Sequence, residues 1–129
     1  MKLTKKQLET LPELYSQENE TNPKAYIHFF NPIGRGDWYA MEGRQEGDDF
    51  LFFGYVKSPL GDDCDEYGYF TLNQIKDTGI LELDKHFEPV LIKEVIEWFL
   101  THLILKGLLK NKLGVLMIVY MSLIVILIA

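Results

Sequence analysis

The last seventeen residues, Leu113 to Ala129, read LGVLMIVYMSLIVILIA, with one serine and no charge. Such a run is compatible with water only when it is covered, so it divides the chain into a body and an end that needs a lipid or protein surface around it. Seventeen helical residues rise about 26 Å, slightly under a hydrocarbon core of roughly 30 Å. Lys106, Lys110 and Lys112 stand directly before the run and would keep the body on the cytoplasmic side. Membrane association is therefore the favoured expectation. Burial of the tail in an oligomer and an altered chain end are the alternatives.

The chain has 129 residues, which is room for one domain with one modest core. Through Glu97 it carries nineteen acidic and ten basic side chains, a net −9, and the three late lysines bring the total to −6. A body of that sign repels nucleic acid instead of binding it through phosphates. Cys64 is the sole cysteine, so an intrachain disulfide and a thiolate cluster are excluded. No apolar stretch precedes Leu8, and no secretory signal peptide is expected. A cytoplasmic body follows, anchored to the inner face of the membrane if the tail inserts.

Thr4 can cap a first helix carrying Leu8, Leu11 and Leu14, disturbed at Pro12. Lys24 to Asn31 (KAYIHFFN) alternates, with Tyr26 and His28 on one side and Ile27 and Phe29 on the other, and reads as a strand. Asp37 to Gly43 (DWYAMEG) is the next. Asp49 to Val56 (DFLFFGYV) is the third, and its aromatic density suits a central strand covered on both faces. Ser58 to Glu66 is a loop and Tyr67 to Phe70 a short strand or rim segment. Thr71 and Gln74 form a capping box that opens a helix through Asp77, closed by Gly79. Glu82 to Phe87 reads as extended. In the helical pattern of Ile92 to Leu109, Val95, Ile96, Phe99, Leu103 and the stem of Lys106 make one stripe.

Together these elements predict an α+β fold: a small antiparallel sheet with flanking helices, plus an apolar C-terminal extension. The expected divisions are an acidic α+β domain at 1–95, an amphipathic helix and basic collar at 96–112, and the apolar tail at 113–129. Phe29, Phe30, Trp38, Phe52, Tyr69, Phe70 and Phe87 should supply most of the core.

Signals for chemistry are sparse. His28, His86 and His102 form no short ligand spacing, so they read as surface or hydrogen-bonded histidines. Glu42, beside Trp38 and Tyr39, reads as a strand-end acid facing water, the alternative being an acid poised by desolvation. Cys64 stands among Asp62, Asp63, Asp65 and Glu66, whose field disfavours a thiolate. Gly34-Arg35-Gly36 is a turn and lacks the rest of a phosphate loop. No catalytic residue, metal ligand or cofactor site is assigned. From Asp37 to Glu66, nine acids face two bases, interleaved with aromatics. This stretch is the candidate interaction surface, with Asp48, Asp49, Asp62, Asp63, Asp65 and Glu66 offered to a basic protein partner. The alternative is a small metal-dependent enzyme using His86, Glu88 and a further carboxylate.

HFFNP (His28 to Pro32), DWYAMEG, DFLFFGYV, EYGYFTLNQI (Glu66 to Ile75) and LELDKHFEP (Leu81 to Pro89) occur in the order and spacing of a bacterial family. LTKKQLETLPELYSQE resembles that family's opening. Over roughly residues 1–95 the chain thus resembles domain of unknown function 2958. The resemblance implies an accessory role on plasmids, phages and other mobile elements, often near conjugation or antirestriction genes, and no agreed enzyme activity. Members usually end soon after the FEP segment, and Ile96 to Ala129 departs from that pattern.

Overall fold

The computed structural model describes residues 1–108 and 112–128 and divides into two compact units, Met1–Ile92 and Lys93–Ala129. Unit one contains α1 (Lys5–Thr10), β1 (Lys24–Ala25), β2 (Ile27–Phe30), β3 (Asp37–Glu46), β4 (Asp49–Lys57), β5 (Glu66–Thr71), α2 (Leu72–Asp77), β6 (Glu82–Leu83) and β7 (Val90–Leu91). Five strands form an antiparallel sheet in the order β5-β4-β3-β2-β6, while β1 and β7 pair separately. The expected α+β class with a small antiparallel sheet and flanking helices is what the chain forms.

Both short helices begin in reciprocal caps. Thr4 N–H donates to Gln7 Oε1 at 2.8 Å while Gln7 N–H donates to Thr4 Oγ1 at 3.1 Å. Thr71 and Gln74 repeat the arrangement at 2.9 and 3.1 Å, satisfying amides that a first helical turn leaves open. Gly79, at φ 68°, follows α2 in the left-handed conformation.

One face of the sheet is the core. Ile27, Phe29, Ala40, Phe52 and Phe70 are buried there with Ile75, Leu81 and Leu83, and Trp38, Phe50 and Val56 pack against them. The rings of Phe29 and Phe52 lie 5.6 Å apart and those of Phe52 and Phe70 5.3 Å, distances at which aromatic pairs attract beyond simple burial. Phe30, Trp38 and Phe87 are only half-buried, and Tyr69 is 54% exposed, so it leaves the expected core. The reason is parity: Phe70 points inward, hence its neighbour Tyr69 points outward. β4 is correspondingly covered on one face, not two.

A bulge between Ala40 and Glu42 changes the facing of β3 midway. Before it, Trp38 and Ala40 face the core; after it, Gly43 stands opposite the core residue Phe52 and Glu42 opposite Phe53. Strict alternation would have put Glu42 on the core side with Ala40, and Met41 is the extra residue that turns it out. Close approach is tightest at Gly54, where an added Cβ would sit 1.8 Å from the Tyr39 carbonyl oxygen. The expected extended segment Glu82 to Phe87 is a strand only at Glu82–Leu83, because Asp84 Oδ1 accepts the His86 amide and starts a turn.

Unit two contains α3 (Ile92–Leu108, from Lys93 onward) and α4 (Lys112–Ile128). Of the stripe expected on α3, the Leu103 and Lys106 side chains lie outside what is described, as does Lys110 of the basic collar. The tail expected to anchor the body in a membrane is corrected here. No helix among the described residues is long and apolar enough to cross one. α4 has seventeen residues with Lys112 in its first turn, so its apolar part rises about 24 Å against a core of roughly 30 Å. Leu108 cannot lengthen it, since that residue belongs to α3.

Candidate functional site

The sheet face opposite the core carries two aromatic rows. Pairing aligns His28, Tyr39, Tyr55 and Tyr67 across β2, β3, β4 and β5, and aligns Glu42, Phe53 and Tyr69 across β3, β4 and β5. Phe53 contacts both tyrosines of β5, with ring centroids 5.1 Å from Tyr69 and 6.3 Å from Tyr67. Both tyrosines remain about half exposed.

Residues 13–20 cross the Glu42 end of this face and close one side of a groove of about 420 Å³. Tyr15 N–H donates to Glu42 Oε1 at 2.8 Å and Gln17 N–H to Glu42 Oε2 at 2.7 Å. Gln17 also donates to the Met41 and Lys24 carbonyls through Nε2, and its Oε1 accepts the Lys24 amide. Tyr15 takes φ 70° in this segment, an uncommon conformation for a residue with a side chain, and the segment's amides converge on the carboxylate as in an anion nest. Glu42 is thus 4% exposed and held by two amides, where the sequence suggested an acid facing water.

Glu18, Glu20 and Glu42 are the charged residues lining the groove, and Tyr15, Phe53, Tyr67 and Tyr69 are its aromatic residues. A hydrogen bond with the Tyr15 side chain, then burial and the charges of Glu42 and Glu18, raise the Tyr69 phenol above its ordinary value. Burial raises that of Tyr67. Both groups are neutral at pH 7, leaving the carboxylates to set the charge of the groove. The combination of negative charge and ring faces suits a cation.

At the other end of the first row, His28 Nε2 lies 2.7 Å from Asp37 Oδ1 and its Nδ1 3.4 Å from Asp84 Oδ2. Its ring stacks on Tyr39 at 4.5 Å. Burial, then Asp37 and Asp84, push the Tyr39 phenol far above its ordinary value. This group ties β2, β3 and the turn after β6 together and has no nucleophile facing it among the described contacts.

The acids selected from sequence are separated by the fold. Asp48 and Asp49 lie at the start of β4 and Asp62, Asp63, Asp65 and Glu66 beyond its end, with a strand of about 27 Å between them. Asp49 Oδ1 accepts the Phe50 and Asn73 amides at 2.7 and 3.0 Å. Asp65 is buried against Lys57 Nζ at 2.7 Å and Arg35 Nη2 at 3.0 Å, and accepts the Ser58 amide. Asp48, Asp63 and Glu66 are exposed, and the Asp62 side chain lies outside what is described. His86 and Glu88, the residues of the enzyme alternative, do not converge: Glu88 pairs with Lys6 at 3.0 Å and His86 is exposed. Among the described residues no three histidine, cysteine or carboxylate side chains are grouped to hold a metal ion.

Sequence reasoning missed the groove's Phe53, Tyr67, Tyr69 and Tyr15. The signal was present in the shared parity of DFLFFGYV and EYGYFT, which puts Phe53, Tyr55, Tyr67 and Tyr69 on one face once the strands pair. The bulge that adds Glu42 to them has no such signal.

No curated protein and no solved structure matches the chain. The family described as Protein of unknown function (DUF2958) matches residues 2–90, which comprise nearly all of the unit that carries the sheet and the groove. This chain belongs to the DUF2958 family.

Proposed function

We propose that the chain is a non-enzymatic interaction protein, an accessory of a mobile genetic element, that receives an arginine or lysine side chain of a basic protein partner in the groove beside Glu42. The observation that carries this reading is the lining itself, three carboxylates and four aromatic rings with no basic residue among the described lining residues. A guanidinium or ammonium entering there meets ring faces and negative charge at once, a pairing worth about 0.5–2 kcal/mol per ring contact according to desolvation. The exposed acids Asp48, Asp63 and Glu66 add a long-range field that raises the encounter rate with a basic surface. The mobile-element role rests on the family resemblance, and the acidic partner-facing surface on charge and groove chemistry.

A fluorescein-labelled arginine-rich peptide, titrated against the full chain and followed by anisotropy, tests the reading. Tyr67→Ala and Tyr69→Ala should each weaken binding about 2- to 30-fold. Lysine at Glu18 and Glu20 should weaken it further and flatten its salt dependence. Binding unaffected by the ring substitutions would discard the groove, and binding lost only on reversing Asp48, Asp63 and Glu66 would move the surface to the ends of β4.

A further inference from the structure

The five-stranded sheet has β6 at one edge and β5 at the other. β6 is two residues long, and shortness is one way an edge is kept from pairing with other chains. β5 has six residues, EYGYFT, and pairs with β4 in unbroken register, so it lacks the proline, lysine or bulge that commonly blunts an edge. Which of its backbone groups point outward follows from the ladder. The Ala40 carbonyl accepts the Tyr26 amide at 2.8 Å, so the backbone groups of Ala40 face β2 and those of its neighbour Tyr39 face β4. Tyr39 stands opposite Tyr55, and alternation along β4 then directs Gly54 and Phe52 to their partners Gly68 and Phe70 on β5. The N–H and C=O groups of Tyr67 and Tyr69 therefore point away from the sheet. Thr71, of the same parity, gives its N–H to Gln74 Oε1 at 2.9 Å. Among the described backbone bonds, none reaches Tyr67 or Tyr69 from outside the sheet.

We propose that β5 takes an extended segment of the basic partner as a sixth, antiparallel strand whose arginine or lysine side chains enter the Glu42 groove. This rests on the reading of that groove as the seat of a basic side chain, and adds how the partner's main chain is held. Tyr67 and Tyr69 both line the groove, so the residues that offer open backbone groups are also those whose rings face it. A partner residue that exchanges both bonds with Tyr69 puts its side chain on the same outer face, about 5 Å away across the strands. The Phe53 ring lies 5.1 Å from that of Tyr69 on the next strand inward, so a cation on a long stem passes over both rings toward the carboxylates. Charge selects the occupant. Glu66 is exposed at the start of β5 and Glu18 and Glu20 line the groove. Through Glu97 the chain has nineteen acids against ten bases, so a second copy at this edge would set two acidic bodies side by side, whereas a basic strand meets opposite charge.

Three fluorescein-labelled peptides, titrated against the full chain by anisotropy, read the result: a short peptide of alternating arginine and threonine, the same peptide N-methylated at its central arginines, and the same N-methylated at its central threonines. A strand that lays its arginines on the groove face aims their N–H groups at β5 and the threonine N–H groups at solvent. Methylation at arginine should weaken binding by about tenfold or more, and methylation at threonine by less than about threefold. Amide exchange followed by NMR should find Tyr67 and Tyr69 fast in the chain alone and slow with the parent peptide, and Gly68 slow in both. Equal binding of the two methylated peptides, or tyrosine amides that stay fast in the complex, would overturn strand addition; binding that still falls on Tyr69→Ala would then leave the groove reading standing. A methylation difference that persists while Tyr69→Ala changes nothing would discard the groove and keep the edge. Tyrosine amides already slow in the chain alone, and faster on dilution, would mean that a second copy holds the edge and would overturn the proposal. Binding by none of the peptides would overturn both readings.

Discussion

The carboxylate of Glu42 accepts the amide hydrogen of Tyr15 at 2.8 Å, and Tyr15 takes φ 70° in the segment that brings that amide to it. Positive φ is costly for a tyrosine, by about 1–3 kcal/mol where surrounding structure enforces it. Two amide hydrogen bonds to a buried charge offset that cost, each being worth about 1.5–3 kcal/mol. Residues 13–20 are therefore placed by an electrostatic contact with the sheet, and the groove exists because they are.

Glu42→Ala should thus lower unfolding stability by about 2–4 kcal/mol, since it strands two amides that now meet a carboxylate. Glu42→Gln keeps an acceptor and should cost about half as much. Urea denaturation of the three proteins checks the order, and protease cleavage within 13–20 should accelerate in the same sequence.

Asp65→Asn should be more damaging than any substitution of the exposed acids. It leaves Lys57, whose side chain is 6% exposed, without the carboxylate 2.7 Å away. Breaking a buried pair on one side costs about 3–5 kcal/mol. Asp63→Asn, two residues earlier in the chain, should change stability by no more than about 0.5 kcal/mol, because that residue is exposed. Equal melting temperatures for the two variants would reject the assignment.

Acid should act through Asp49. Burial raises its carboxyl, but the amides of Phe50 and Asn73, the Thr71 hydroxyl and the charge of Lys76 outweigh that and hold it below its ordinary value. A carboxyl lowered in the folded state contributes stability that is complete above its unfolded value near 4 and is lost as pH falls through the folded value. The difference in melting temperature between wild type and Asp49→Asn should therefore be constant above about pH 5 and should narrow below pH 4. A difference that widens on acidification would reverse the sign.

Alkali should act through the outer face. Tyr55, Tyr67 and Tyr69 are raised by burial or hydrogen bonding, and Tyr39 further still by burial and two carboxylates. A phenol raised in the folded state contributes stability present below its unfolded value of about 10 and lost as pH climbs toward the folded one. Ultraviolet titration of the seven tyrosines should show these four ionising late, with Tyr39→Phe removing the last step. Uniform ionisation near pH 10 in the folded protein would contradict the burial seen on this face.

Where sequence and structure agree, a local rule decides the outcome. Thr71 with Gln74, and the alternation of Ile27 and Phe29 against His28, are specified within a few residues and formed as expected. The errors arise where alternation was not followed from strand to strand. Tyr69 and Phe70 cannot both face one core, and the aromatic density of β4 suggested two covered faces when it supplies one core and one open wall. The groove depends on a bulge at Met41 and on positive φ at Tyr15, and neither residue type announces its conformation. At the C-terminal end, hydropathy alone could not reveal that Leu108 belongs to α3 and Lys112 to α4.

The extra residue at Met41 lies outside the ladder, since Ala40 and Glu42 pair with the adjacent residues Gly54 and Phe53. Deleting it would join those pairs into an unbroken ladder, with Glu42 still on the outer wall and Gly43 still toward Phe52. Drawing Met41 into the ladder would do the opposite, swinging Glu42 toward Phe52 and turning Gly43 outward. The carboxylate therefore keeps its side only while Met41 is either bulged or missing, and a substitution that favours a regular strand at this point would cost the groove its buried acid without touching it.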